Sequence, residues 1–116
     1  MSRGDVVLVR FPHPSGVRGK RRPAVVVQAD VYSAVVGTVV VVEITSNLSM
    51  ATDPACLLID LTTLEGRATG LLHDSVVSCL VMATIYADTI DQTLGSLSSA
   101  LLYRLDGCIK AALGVT

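Results

Sequence analysis

Between Gly16 and Pro23 the chain reads Gly-Val-Arg-Gly-Lys-Arg-Arg-Pro, which places Arg18, Lys20, Arg21 and Arg22 in a glycine-containing loop that leads into an apolar run. Glycine lets the backbone approach a polyanion, and guanidinium groups bind phosphate oxygens through paired, charge-assisted hydrogen bonds. The chemistry this suits is the binding of a phosphate chain; the competing reading is a solvated basic turn that serves only solubility. Arg22 differs from its neighbours. Pro23 restricts the backbone before it and the next strand begins there, so Arg22 is expected at the edge of a rigid scaffold, whereas Arg18 and Lys20 follow the loop. A second group, Glu43-Ile-Thr-Ser-Asn, ends the most apolar run of the chain and brings Thr45, Ser46 and Asn47 out of the core at a strand terminus, a common setting for binding groups. Ser46 and Asn47 are equally ordinary turn residues.

Groups that exchange protons near neutral pH are few. His13 sits in the basic loop and titrates in the useful range, so it is the candidate proton acceptor, with a merely solvated histidine as the alternative. His73 beside Asp74 looks superficially like an oriented base, but adjacency at a strand entry favours a turn role. Neither histidine has metal-ligand spacing with Cys56, Cys79 or Cys108, so no metal site and no cofactor are expected. The cysteines, odd in number and set in apolar segments, read as reduced, buried thiols.

The elements that must position these residues are mostly strands. Asp5 to Phe11 alternates and is rich in valine, Pro23 to Gln28 is a second strand, and Thr38 to Thr45 is almost continuously β-branched, which suits a central strand buried on both faces. Val31 to Gly37 carries a helical turn, Ser46 to Pro54 is a polar loop, and Ala55 to Leu61 is a fourth strand. Ser75 to Val81 and Thr84 to Ala87 supply the last long strands, interrupted by a bulge. After Ser98, a helix-capping residue, Leu101, Leu105, Cys108 and Ala112 recur at helical spacing up to Gly114, a stop residue. Asp106 and Lys110, four apart on the polar side of this helix, are placed to pair. The expected fold is mostly β with a C-terminal helix, a small SH3-like barrel.

The 116 residues suit a single domain, 1–116, with one core, and 51% hydrophobic against 16% charged residues exclude global disorder. The apolar runs are much shorter than the roughly 20 residues of a spanning helix, and the N-terminus enters a strand pattern with no apolar leader, so a cytoplasmic protein is expected. The net charge of −1 argues against a nucleic-acid binder, but six of the nine basic residues, Arg3, Arg10, Arg18, Lys20, Arg21 and Arg22, fall in the first 22 positions with Asp5 as the only acid. One basic edge on a nearly neutral protein follows. Of the aromatic residues, Phe11 and Tyr32 are candidates for stacking on bases, with packing as the stronger expectation.

These motifs resemble the MazF/PemK (Kid-like) toxins of bacterial toxin-antitoxin modules over nearly the whole chain. Arg3-Gly-Asp-Val-Val-Leu-Val is similar to the family's opening strand, Arg22-Pro-Ala-Val-Val-Val-Gln to its Arg-Pro signature, and Ile44-Thr45-Ser46 to the end of its third long strand. Asp74-Ser-Val-Val-Ser-Cys with Thr84-Ile85 resembles its fifth strand. The resemblance implies a homodimer of SH3-like barrels that cuts single-stranded RNA without a metal and is neutralised by a cognate antitoxin protein. It implies attack of the ribose 2′-hydroxyl on the adjacent phosphate, leaving a cyclic phosphate and a free 5′-hydroxyl. Arg22 then faces the charge that develops on phosphorus, Thr45 donates a hydrogen bond to a phosphate oxygen, and His13 is the candidate base. Arg18, Lys20, Arg21, Ser46 and Ser78 are the expected RNA contacts. Two departures stand out. The loop acid and Gln of many members are replaced by Val17-Arg18, with no visible substitute to position Arg22, and the Kid-type arginine and aspartate of the fifth strand are absent around Ser78, Leu80, Val81 and Ala83. Lowered activity, or a noncatalytic SH3-like module that binds RNA or protein, is the alternative these departures raise.

Overall fold

The computed structural model describes residues 1–11 and 20–116. Six strands form one antiparallel sheet: β1 (Asp5–Arg10), β2 (Arg21–Val26), β3 (Thr38–Thr45), β4 (Cys56–Ile59), β5 (Ser75–Tyr86) and β6 (Gln92–Ser96). Their spatial order is β4-β5-β3-β2-β1-β6. The sheet curls as a half-barrel, with β4 and β6 on its two edges. Three α-helical segments complete the fold: α1 (Asp30–Ser33), α2 (Leu64–Arg67) and the long C-terminal α3 (Ser99–Leu113).

Valine and isoleucine dominate the inner strands because branched side chains pack well on a pleated surface covered on both sides. One face of the sheet buries Val6, Val25, Val42, Ile44, Leu57 and Val77 against Leu101, Leu105 and Cys108 of α3. The other collects Val7, Val9, Phe11, Ala24, Val26, Val39, Val41 and Ile85. Phe11 therefore packs in the core, while Tyr32 is exposed. The helix ends where its sequence says it should: the Ser98 hydroxyl accepts from the Leu101 N–H at 3.1 Å, and Gly114 adopts the left-handed conformation, φ 68°.

Cys56, Cys79 and Cys108 are buried and unpaired. Burial pushes the Cys79 thiol up to about 12 and raises that of Cys108, because an apolar surrounding disfavours the thiolate. Both stay protonated and unreactive at neutral pH, as the sequence suggests.

The strand expected as two pieces is the single strand β5. Its register against β3 jumps: Glu43 faces Ser78 but Val42 faces Met82, so the bulge lies inside a continuous strand. Strand β2 starts earlier than expected, at Arg21, and β6 and α2 were not anticipated. The Asp106–Lys110 pair is replaced by a longer-range one. Arg3 Nη2 reaches the Asp106 carboxylate at 2.6 Å while Arg3 Nε donates to the Val27 carbonyl at 2.9 Å. Arg3 ties the entry of β1 to α3 and so leaves the basic edge.

Candidate active site

Antiparallel pairing decides which chain ends meet. Ala24 of β2 faces Glu43 of β3, so Arg21 and Arg22, which precede Ala24, lie at the same end of the sheet as Thr45 and Ser46, which follow Glu43. Thr45 in turn faces Val76, so the segment entering β5 arrives at that end as well. Val9 faces Arg22 on the remaining side. Pro23 keeps this end open: β2 pairs with β3 only from Ala24 onward, and Pro23 has no N–H to extend a ladder toward Ile44 and Thr45.

A cavity of about 600 Å³ occupies the opening. Its polar wall is Lys20, Arg21, Arg22, Thr45, Ser46, His73 and Ser75, and its apolar floor includes Leu8, Pro23, Ile44, Leu71 and Leu94. No carboxylate is among these lining residues. A half-open, cationic cleft with an apolar floor is suited to a phosphate chain with its bases or sugars against carbon.

Arg22 is half-exposed at 48%, and its Nη1 lies 3.7 Å from Oε1 of Glu43, whose side chain is only 20% exposed. This distance exceeds that of a hydrogen bond, so Glu43 orients the guanidinium through charge without consuming its N–H donors. Glu43 is thus a carboxylate paired with Arg22 that the sequence did not reveal. Its spacing hid it, since it stands two residues before Thr45 on the neighbouring strand. Arg21 pairs with Asp91 at 3.2 Å, both half-exposed. We expect Glu43→Gln to lower kcat for a phosphodiester substrate by about fivefold, the worth of a partly exposed ion pair of about 1 kcal/mol. KM should fall with it, because a negative charge leaves the neighbourhood of the phosphates; steady-state kinetics on a short oligonucleotide reads both. A merely structural Glu43 would lower kcat without lowering KM.

Thr45 Oγ1 accepts from the Asn47 N–H at 3.1 Å. The bond fixes the hydroxyl and leaves its own proton available for an acceptor in the cavity. Asn47 does only turn work: its Oδ1 accepts from the Ser49 N–H at 3.0 Å.

Gly70, Leu71, Leu72 and His73 form the wall across from Arg22 and belong to the segment 60–74, which is pinned at several points. The Asp74 carboxylate accepts from the Leu61 N–H at 2.8 Å, the Ala68 carbonyl accepts from the Ser96 N–H at 3.2 Å, and Glu65 accepts from the Ser98 hydroxyl at 2.9 Å. Gly70 has φ +75°, and a β-carbon there would overlap the Leu94 carbonyl of β6. The Ser75 hydroxyl donates to the His73 carbonyl at 2.8 Å. The turn role foreseen for His73 is thus carried by its backbone, while the residue itself lines the cavity.

Of the residues singled out in the sequence, Lys20, Arg21, Arg22, Thr45 and Ser46 converge on this cavity. Ser78 does not line it: the residue faces Glu43 on one side and Cys56 on the other, and its hydroxyl accepts from the Cys56 thiol at 3.9 Å. His13 and Arg18 lie outside the described residues. Among the described residues no group of three or more His, Cys, Asp or Glu side chains is placed to hold a metal ion, and no helix is long and apolar enough to cross a membrane.

The sequence is 30% identical over 115 residues to the endoribonuclease MazF2 of Mycobacterium bovis, covering 97% of this chain and 96% of that one. The fold matches an endoribonuclease in complex with its cognate antitoxin from a mycobacterial species, with a TM-score of 0.81 at 18% identity over 100% of this chain and 97% of the other. It also matches the Mycobacterium tuberculosis toxin MazF-mt6, with a TM-score of 0.78 at 20% identity over 97% and 98% of the two chains. Residues 2–113 fit the sequence profile of one family, and the chain therefore belongs to the PemK-like, MazF-like toxins of type II toxin-antitoxin systems.

Proposed function

We propose that the protein is a metal-independent endoribonuclease toxin that cuts single-stranded RNA by attack of a ribose 2′-hydroxyl on the adjacent phosphate. The observation that carries this reading is the convergence of Arg22 and Thr45, from two different strands, on one open cationic cavity. Family membership and the endoribonuclease names of its relatives support it. A phosphorane transition state gathers negative charge on its equatorial oxygens, and preorganised donors aimed at that charge lower the barrier without reorganising. Arg22, kept in orientation by Glu43, supplies a delocalised cation with several donors; Thr45 supplies a single fixed hydroxyl. Lys20, Arg21 and Ser46 hold the flanking phosphates. The apolar floor at Leu8, Ile44 and Leu94 offers little to a phosphate, which favours a strand whose sugars and bases can turn inward over one that is paired.

A cognate antitoxin protein neutralises the toxin, as the complex formed by a similar mycobacterial endoribonuclease suggests. An acidic segment laid across Lys20, Arg21 and Arg22 would exclude RNA by occupying the same charges. We further propose that the chain acts as a single domain, residues 1–116, paired as a homodimer in the cytoplasm.

The test is incubation of the purified protein with a long RNA containing paired and unpaired regions, in EDTA, followed by mapping of both ends of each product. Discrete cuts in unpaired regions, with cyclic phosphate on one side and 5′-hydroxyl on the other, are expected. Intact RNA at a large excess of protein overturns the reading and leaves a module that binds without cutting.

A further inference from the structure

The 2′-hydroxyl must lose a proton as it attacks phosphorus, and arginine is a poor acceptor because its guanidinium is already fully protonated and has no free lone pair to take one. We propose that His73 is the general base of the reaction. This inference rests on the ribonuclease reading and deepens it.

The placement of His73 carries the proposal. The residue precedes Ser75, where β5 begins, and β5 runs antiparallel to β3 with Val76 facing Thr45, so His73 enters the cavity from the side across from Arg22. An in-line displacement needs its base on the attacking-oxygen side and its charge-stabilising groups around the phosphorus, which is the division that the two walls provide. His73 is exposed and its backbone is held by the Ser75 hydroxyl. Asp74 beside it is held in turn by the Leu61 N–H.

The rest of the cavity offers no rival among the described residues. Its other charged groups are Lys20, Arg21 and Arg22, and those just outside are Glu43 against Arg22, Asp91 against Arg21, and Asp74. Side chains of these types do not ordinarily change charge between pH 5 and 8, whereas imidazole does. Glu43 has its charge directed at Arg22 and does not line the cavity.

The step balances as follows. The proton of the 2′-hydroxyl passes to an imidazole nitrogen of His73 while the 2′-oxygen to phosphorus bond forms; the phosphorus to 5′-oxygen bond then breaks. Solvent protonates the leaving 5′-oxygen, and the imidazolium returns its proton to solvent. Neither metal nor oxidant takes part.

The experiment compares the wild type with His73→Gln and His13→Gln under single-turnover conditions, on an RNA containing a site cut in the end-mapping assay. Binding is measured on the same RNA carrying a 2′-deoxy sugar at the scissile position. The expected result is that His73→Gln slows cleavage by about 100-fold or more, the usual worth of a positioned base, with affinity for the 2′-deoxy probe within about twofold. The rise in rate between pH 5 and 8 should flatten in that variant, and added imidazole should restore part of the rate to His73→Gly. If His73→Gln cuts within about threefold of wild type with an unchanged pH profile, or if only His13→Gln loses the profile, His73 is not the base. If the wild type cuts no RNA, the ribonuclease reading itself falls and takes this role with it.

Discussion

Arg22→Ala should abolish RNA cleavage while leaving most RNA binding in place. Removing one preorganised donor from a developing oxyanion costs on the order of 100- to 1,000-fold in kcat, and Arg22 offers charge as well as hydrogen bonds. Ground-state binding is shared with Lys20, Arg21 and Ser46 on the same wall, so the affinity for an uncleavable RNA should weaken only several-fold. Arg22→Lys sharpens the test. Lysine keeps the charge but loses the planar fork, and at a site that must bind two phosphate oxygens together it should recover binding fully and cleavage only in small part. Fluorescence anisotropy on a 2′-deoxy probe and cleavage of the matching RNA separate the two quantities. Equal losses of binding and cleavage in Arg22→Ala would mean that the arginine serves only to hold RNA, as in a noncatalytic module.

Gly70→Ala should damage both stability and cleavage, although the residue brings no side chain to the cavity it lines. An L-residue at φ +75° costs roughly 1 to 2 kcal/mol, and the overlap of its β-carbon with the Leu94 carbonyl adds roughly 1 to 3 kcal/mol because backbone cannot step aside as a flexible side chain can. Relief of the overlap requires the 70–74 segment to part from β6, and that segment carries Leu71, Leu72 and His73 into the cavity. Thermal unfolding should show a lowered midpoint. Cleavage measured at a temperature where the variant is still folded should also be reduced, through displacement of this wall. Gly107→Ala is the control: it lies in α3 with open space around its would-be β-carbon and should leave cleavage unchanged while raising stability by up to about 1 kcal/mol. A normal cleavage rate in folded Gly70→Ala would show that the wall is not needed in its present place.

Much of the frame is legible without coordinates. The β-branched run of β3, the alternation of β1 and the leucine spacing of α3 each state a period, and periods survive because burial of one face depends on them. Strand β6 states none. Its residues Gln92 to Ser96 include no fully buried side chain, and it is a strand because β1 offers an unpaired edge there. The site divides the same way. Arg22 is singled out by a local signal, its proline junction, and Thr45 by a strand end together with the family resemblance, whereas the places of Glu43 and His73 beside them follow from cross-strand register and from the docking of residues 60–74 on β6. Arg3 errs in the opposite direction, since its cluster with other cations in the sequence gives no hint of Asp106 at the far end of the chain. The bulge in β5 was detectable as an interruption, but which residues it leaves without partners follows only from the pairing.

The place of β6 beside β1 bears on the biosynthesis of a toxin within the cell it can harm. A chain emerging N-terminus first presents β1, β2 and β3 early, and with them Arg22 and Thr45, yet the wall that faces them lacks its contacts with β6 and α3 until Leu94 and Gly95 have been added and Ser98 has met Glu65. Nascent and prematurely ended chains therefore carry the residues of the site without its shape. The cavity is whole only in a chain that has delivered β6 and the start of α3.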